Sequence, residues 1–277
     1  MAYNLLLFYL IFYILMKLTL IITTYNNPEF LLLVLTSIEN QTLHPFEVII
    51  ADDGSNDKTK DLISSYKLKS SLTIYHSWQE DNGFRAARSR NLAISKSTGD
   101  YIVLIDGDVI LHPCFIEDHF RRAEPGYFVQ GSRVLLSKKQ TRISLSRHKI
   151  DFSFFSRGIL NRKNSIHSKL LAMIFSNKKY HFKGIKSCNM GFFKIDCINV
   201  NGFNNEFEGW GREDSEFIVR LMNNGLNRKN IRFCAIQFHL WHKENSRNLL
   251  SQNDIVLKCA INSNLKWCDN GINRISK

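Results

Sequence analysis

Between residues 18 and 108, short apolar runs closed by polar clusters alternate with segments of helical spacing. Leu18–Thr23 is an unbroken apolar and β-branched run, the pattern of a strand buried on both faces. Asn27-Pro28-Glu29 then supplies a cap residue, a first-turn proline and an early acid, which together start a helix. Phe46–Ala51 repeats the strand pattern and stops at Asp52-Asp53-Gly54-Ser55. The pattern next predicts a helix over 58–66, a strand at Leu72–Tyr75 and a helix over 84–97. A fourth strand at Tyr101–Ile105 stops at Asp106-Gly107-Asp108. Further on, Ser187–Ile195 and Arg232–His239 read as strands, a helix begins near 213, and 247–264 forms a closing helix.

Strands and helices alternating at this spacing imply an α/β fold, a mostly parallel Rossmann-like sheet flanked by helices and joined by right-handed crossovers. Ligands of such sheets bind at the carboxyl ends of the strands. All four early strands end in polar residues, so the expected site lies along that edge. The pattern divides the chain into 1–15, 16–130, 131–186 and 187–277.

The helix near 213 opens with three acids, Glu213, Asp214 and Glu216, behind Gly209-Trp210-Gly211. Acids in a first turn favour the helix dipole by about 0.3–1 kcal/mol each. Their phases differ, however. At about 100° per residue, Phe217, Ile218, Leu221 and Met222 lie at roughly −60°, 40°, −20° and 80° from Asp214. Asp214 therefore starts the buried stripe and points inward, Glu213 sits at its edge, and Glu216 is expected on the outer face as a capping charge. A carboxylate in a partly desolvated cleft has a raised pKa, which suits a general base. Gly209 and Gly211 allow a tight approach, and Trp210 offers a flat apolar face for a sugar ring.

Charge adds a second region. The net charge of +12 comes from residues 138–186, which hold thirteen Lys and Arg against one acid, Asp151. Phe152, Phe154, Phe155, Leu170, Met173 and Phe175 are interleaved among them. Basic and aromatic residues together fit an anionic membrane surface, with a solvated insertion around its own small core as the plainer alternative. A nucleic acid also fits this pattern, behind those two, and is not the expected partner. The six cysteines show no C-x-x-C and no clustered spacing, so reduced, buried thiols are expected rather than disulfides or a zinc site. Residues 5–16 form an apolar run too short to span a bilayer, and Met16 opens a segment that reads as a natural chain start. Residues 1–15 are then a mis-assigned extension, or alternatively a membrane-dipping anchor.

The candidate chemistry sits at the strand ends. Asp106 and Asp108, two apart, project to one side and suit a hard divalent cation, with Gly107 opening the backbone to a ligand. His239 and His242 add ligand types near a later strand end. Being three apart, they face opposite ways on an extended strand, so one ligand, His242, is preferred. Arg85, Arg88 and Arg90 begin a helix and suit phosphate oxygens, with a solvated basic face the alternative for Arg88. Neither a P-loop nor a G-x-G-x-x-G fingerprint occurs.

These motifs, "TTYN", "ADDGSND", "NGFRAARSRN", "TGDYIVLIDGD" and "NVNGFNNEFEGWGREDSEF", resemble family 2 glycosyltransferases of the GT-A fold. The C-terminal part resembles the galactosyltransferase-type segment of bacterial polysaccharide and lipopolysaccharide enzymes. The resemblance implies a nucleotide-sugar-binding part (16–130), a basic insertion (131–186) and an acceptor-binding, catalytic part (187–277). It implies that Thr24, Tyr25 and Asn26 line the nucleotide pocket and that Asp53 bonds uracil. Arg85 and Arg90 would meet base or phosphate, and Asp106 the ribose. Asp108, His242 and less certainly His239 would bind Mn²⁺ or Mg²⁺. Trp210, Gly211 and Glu213 would contact the acceptor sugar, and Asp214 would be the base of an inverting transfer from a UDP-sugar, galactose favoured. Ser215 and Arg212 depart from the galactosyltransferase pattern and leave the exact donor open. A lipid-linked saccharide acceptor and a peripheral place on the cytoplasmic face of the plasma membrane follow as expectations. A sugar nucleotidyltransferase and a non-enzymatic membrane- or nucleic-acid-binding protein are the competing readings.

Overall fold

The computed structural model describes residues 15–179, 187–243 and 246–275, so residues 1–14 of the apolar extension lie outside the described residues. Its first part alternates as the sequence pattern requires: β1 (Leu18–Thr24), α1 (Pro28–Glu39), β2 (Glu47–Asp52), α2 (Asp57–Lys67), β3 (Ile74–Trp78), α3 (Ala86–Lys96) and β4 (Tyr101–Asp106). Then follow β5 (Val109–Leu111), α4 (Phe115–Arg122), β6 (Tyr127–Gln130), β7 (Arg133–Leu135), α5 (Lys138–Arg147), α6 (Lys169–Phe175) and β8 (Asn177–Lys179). The last part holds β9 (Asn189–Phe193), α7 (Lys194–Asn199), α8 (Glu213–Asn223), β10 (Asn227–Asn230), β11 (Gln237–His239) and α9 (Leu250–Asn262).

The strands form an eight-stranded sheet in the order β3-β2-β1-β4-β9-β6-β10-β8 and a three-stranded sheet in the order β5-β11-β7. The first four neighbours are all parallel, while β9 runs antiparallel to both β4 and β6. Period-2 alternation distributes β1 and β4 between two cores. Leu18, Leu20, Ile22, Tyr101, Val103 and Ile105 pack on the side of α1, with Leu31, Val34, Leu35 and Ile38. Ile21, Ile102 and Leu104 face the other side with Phe203, Phe217 and Ile218. A third cluster joins Ile110, Val134 and Phe238 of the small sheet, and Ile236 just before β11, to Leu145, Ile150 and Phe152 of the basic segment. That segment is therefore stitched into both sheets, through β7 and β8.

Two expected strands shift for local reasons. The third begins at Ile74, after a turn in which Leu72 N–H donates to Ser70 Oγ, and continues through His76 and Trp78 because an edge strand tolerates polar residues. The run Arg232–His239 is strand only from Gln237, because Phe233 and Ala235 have φ of 59° and 45°. Among the described residues no helix is long and apolar enough to cross a membrane.

Glu216 corrects the helical-phase argument. It is fully buried, as is Arg220 one turn on, and the two form a forked pair with Nε–Oε1 and Nη2–Oε2 both 2.7 Å. Arg220 also donates to Val200 O. Helical phase assigns α8 one buried face, but the turn after α7 and the segment at Cys268 cover its other side.

Candidate active site

Parallel register aligns the strand ends, with Thr24 opposite Asp52, Asp52 opposite Trp78, and Thr23 opposite Asp106. The expected edge is thus assembled from four separate stretches of sequence.

On the β2 side, Asp53 is buried and both of its oxygens are engaged: Gln79 Nε2 donates to Oδ1 at 2.5 Å and Arg85 N–H to Oδ2 at 2.8 Å. Burial pushes the Asp53 carboxyl up, against the lowering effect of these donors and of the Arg85 and Arg90 charges. Tyr25 Oη donates to Asp81 at 2.9 Å, while Asn26, at φ 46°, accepts the Asn56 N–H on its Oδ1. Arg85 folds back to Glu80 O at 2.6 Å, leaving its buried Nε without a partner, as is Thr24 Oγ1. Unpaired buried polar atoms facing a strand-end cleft mark the place where a polar ligand would complete the bonding. Gln79, which holds Asp53, was not singled out from sequence, although it lies within the polar stretch ending the third strand.

At the centre, Arg90 gathers three elements. Its Nη1 donates to Glu213 Oε1 at 3.0 Å, its Nε to Thr23 Oγ1 at 3.2 Å, and its Nη2 lies 3.6 Å from Asp106 Oδ1. Arg90 is only 4% exposed, and two of its donors bond within the protein. It links Glu213 to the strand edge. Burial and the neighbouring Asp108 charge push Asp106 up, with Arg90 opposing.

Asp108 meets both histidines. His242 Nε2 lies 2.9 Å and His239 Nε2 3.5 Å from Asp108 Oδ2, and the three ligand atoms lie within 4.8 Å of one another. Both histidines reach Asp108 because β11 ends at His239, so the chain is no longer extended where His242 lies. Asp108 Oδ1 is buried and unpartnered. An orphan carboxylate oxygen beside two imidazoles fits a divalent cation held by Asp108, His239 and His242. The Asp108 hydrogen bond, with help from Lys243 O, raises the His242 pKa to about 9. Gly107 also packs close to β1. A Cβ there would meet Thr23 O at 3.0 Å and Thr24 Oγ1 at 3.1 Å, so β1 also favours the glycine.

Asp214 starts the inward face of α8 as expected. Its Oδ2 accepts the Ser187 N–H at 3.1 Å and its Oδ1 the Ser215 hydroxyl at 3.2 Å. Burial, then the Glu213 charge, raises its pKa to about 6, with Arg90 and both donors opposing. The loop before it is held from behind. Asn253 Nδ2 on α9 donates to Glu208 O at 3.0 Å and Gly211 O at 2.9 Å, and Gly209 N–H donates to Phe84 O at 3.0 Å. Gly211 has φ 103°, a conformation open to glycine, and Trp210 is half exposed with Arg247 5.0 Å over its ring. Asn253 carried no local signal in the sequence. Beside Cys188, next to Ser187, lies a cleft of about 240 Å³ lined by Gln130, Arg133, Asn161, Asn164, Cys188 and Arg228, which no motif pointed to.

The family model for glycosyl transferase family 2 matches residues 19–186, more than half of the chain. The chain belongs to glycosyltransferase family 2. A second model, the N-terminal domain of galactosyltransferase, matches residues 170–243, which carry Glu213, Asp214 and both histidines. This family 2 chain is 30% identical over 233 residues to a hyaluronan synthase of Pasteurella multocida, covering 77% of the chain and 24% of that protein. It is 26% identical to a chondroitin synthase of Escherichia coli, covering 80% and 34%, and 28% identical to a validoxylamine A glucosyltransferase of Streptomyces hygroscopicus subsp. limoneus, covering 76% and 48%. The chain thus spans about a quarter to a half of these relatives. Among solved structures, S. aureus TarS 1–349 in complex with UDP superposes with a TM-score of 0.59 at 16% identity, covering 88% of this chain and 65% of that one. The fold is the GT-A fold.

Proposed function

We propose that this family 2 chain is an inverting hexosyltransferase that moves a sugar from a UDP-sugar to a saccharide acceptor, with Asp214 as the base. The observation that supports it most is the spacing of chemistry around Arg90. Asp106 at the donor edge and Glu213 beside the base share one buried guanidinium, which ties the two half-sites to a fixed geometry.

In this reading Asp53 and the Thr24–Asn26 turn hold the base and ribose, with Arg85 Nε and Thr24 Oγ1 as open bonding positions. Trp210 and Glu213 orient the acceptor. Asp214 takes the proton of the acceptor hydroxyl as its oxygen bonds to the anomeric carbon, and the carbon–oxygen bond to the diphosphate breaks with its electron pair leaving on UDP. Bound at Asp108, His239 and His242, Mn²⁺ or Mg²⁺ supplies positive charge for the departing diphosphate. The lean toward galactose rests on the galactosyltransferase-type match alone, and polysaccharide acceptors are suggested by the synthases among the relatives.

The acceptor is proposed to be lipid-linked, with the enzyme peripheral on the cytoplasmic face of the plasma membrane. On α6, Leu170, Met173, Ile174 and Phe175 are exposed, an apolar face suited to a bilayer interface, with Lys169 and Lys178 nearby, each facing a glutamate, Glu117 and Glu124.

A panel of UDP-sugars with Mn²⁺ or Mg²⁺, read as UDP release and product linkage, tests the activity. Consumption of a nucleoside triphosphate with no UDP release from any UDP-sugar would replace this reading with a nucleotidyltransferase. Flotation with phosphatidylglycerol vesicles tests the docking surface: Met173→Glu/Ile174→Glu abolishes binding, and unchanged flotation rejects it.

A further inference from the structure

A second cluster of ligand-type side chains lies away from the Asp108 site. His112 and Cys114 flank Pro113 where the chain passes from β5 into α4, and His167 comes from the stretch leading into α6. One ligand atom of each lies within 4.8 Å of the other two, and all three residues are partly buried. The two imidazoles stack with centroids 4.4 Å apart and 18° between planes.

The surroundings support the cluster from behind. Buried Asp118 accepts from His167 Nε2 at 2.9 Å and from Ala235 N–H at 2.8 Å. A carboxylate on one imidazole nitrogen fixes the tautomer and leaves the lone pair of the other for a cation, the usual support for a metal-binding histidine. Cys114 is the N-cap residue of α4; burial and then the Asp118 charge push its thiol up against the helix dipole, so a cation would have to displace the thiol proton to bind there. His112 Nδ1 accepts the Cys114 N–H at 3.2 Å, the long end of the hydrogen-bond range, so a cation would compete with a weak bond for that lone pair. Tightening a 4.8 Å cluster to the roughly 3.5 Å edge of a zinc tetrahedron requires about an ångström of side-chain movement.

We propose that His112, Cys114 and His167 bind a borderline-soft divalent cation, zinc by donor chemistry, and that this site fastens the basic segment to the α/β core. The fastening role follows from connectivity. His167 directly precedes Ser168, whose side chain caps α6 and whose N–H donates to Phe233 O at 2.9 Å, while His112 and Cys114 belong to the core. The site does not depend on the transfer reaction. No local spacing pointed to this cluster, because its members join only when residues 112–114 and 167 meet in space.

The full chain titrated with Co²⁺ tests it, because only a thiolate ligand gives a sulfur-to-cobalt charge-transfer band. The band is expected at one equivalent in the chain and in Asp108→Ala, which removes the carboxylate of the other site, and it is absent in Cys114→Ser. In the unmutated chain, Zn²⁺ slows alkylation of Cys114 as mapped by mass spectrometry, a readout that stands even if Cys114→Ser fails to fold. Asp118→Asn weakens zinc binding by about 10–100-fold through the imidazole it positions. No thiolate band, together with alkylation of Cys114 unchanged by Zn²⁺, would overturn the proposal.

Discussion

Asp214→Asn separates the two effects of the same carboxylate. In the folded chain the Asp214 pKa is about 6, raised chiefly by burial, against an ordinary aspartate value of about 3.9. A raised acid pKa means that the ionised folded state is penalised. Below about pH 4 the carboxyl is protonated in both states and the penalty is absent; it grows through pH 4–6 and is constant above. Two units at about 1.4 kcal/mol each set a ceiling near 3 kcal/mol, and partial solvent contact reduces it, so about 1–3 kcal/mol is expected at pH 8. Asparagine keeps an acceptor for the Ser187 N–H without the charge. The variant is therefore expected to be more stable than the parent at pH 8, by roughly 3–10 °C in Tm. The gap should close as pH approaches 4, while kcat falls by about 10²–10⁴. Differential scanning fluorimetry from pH 4 to 8 and single-turnover UDP release give both readouts. A variant that loses stability at every pH, or keeps the parental kcat, refutes the assignment.

Cation binding has a pH dependence of its own. His242 must lose its proton to act as a ligand, so Mn²⁺ affinity by calorimetry should climb about tenfold per unit from pH 6.5 toward 9, and a flat profile counts against the site. Without a cation, the Asp108–His242 pair contributes stability that is complete below about pH 6.5 and lost as pH rises through about 9. Arg90→Gln leaves Glu213 and Asp106 without their counter-charge. A loss of about 3–5 kcal/mol in urea melts is expected, with the acidic limb of the rate–pH profile moved upward because Arg90 holds Asp214 down. Glu216→Ala should cost a similar 3–5 kcal/mol by stranding Arg220, whereas Glu216→Leu/Arg220→Met is nearly neutral. A double variant as unstable as the single one would contradict a simple charge pairing.

The comparison of Asp214 with Glu216 shows where sequence reasoning ends. Both stand in one turn of one helix, and the apolar spacing of Phe217, Ile218 and Leu221 was enough to aim Asp214 inward. The same rule put Glu216 in solvent, because periodicity describes one buried face and carries no information about a second layer over the other. Arg90 is a similar case. Its chemistry, a guanidinium near acids, was legible, but its partners Thr23, Asp106 and Glu213 come from three separate parts of the chain. His239 and His242 were readable as a pair, yet their convergence depends on where β11 stops.

The alternation of buried strands and helices, the polar strand ends, the acidic start of α8 and the basic segment are legible residue by residue, because each depends on neighbours within a few positions. Only the packing of distant segments brings Asp108 to both histidines, Arg90 to Glu213, and Cys114 against His112 and His167. Local spacing sets which face of an element is apolar. Which side chains then share a cleft depends on strand register and crossover packing, where contacts join residues a hundred or more positions apart, as Arg90 and Glu213 do.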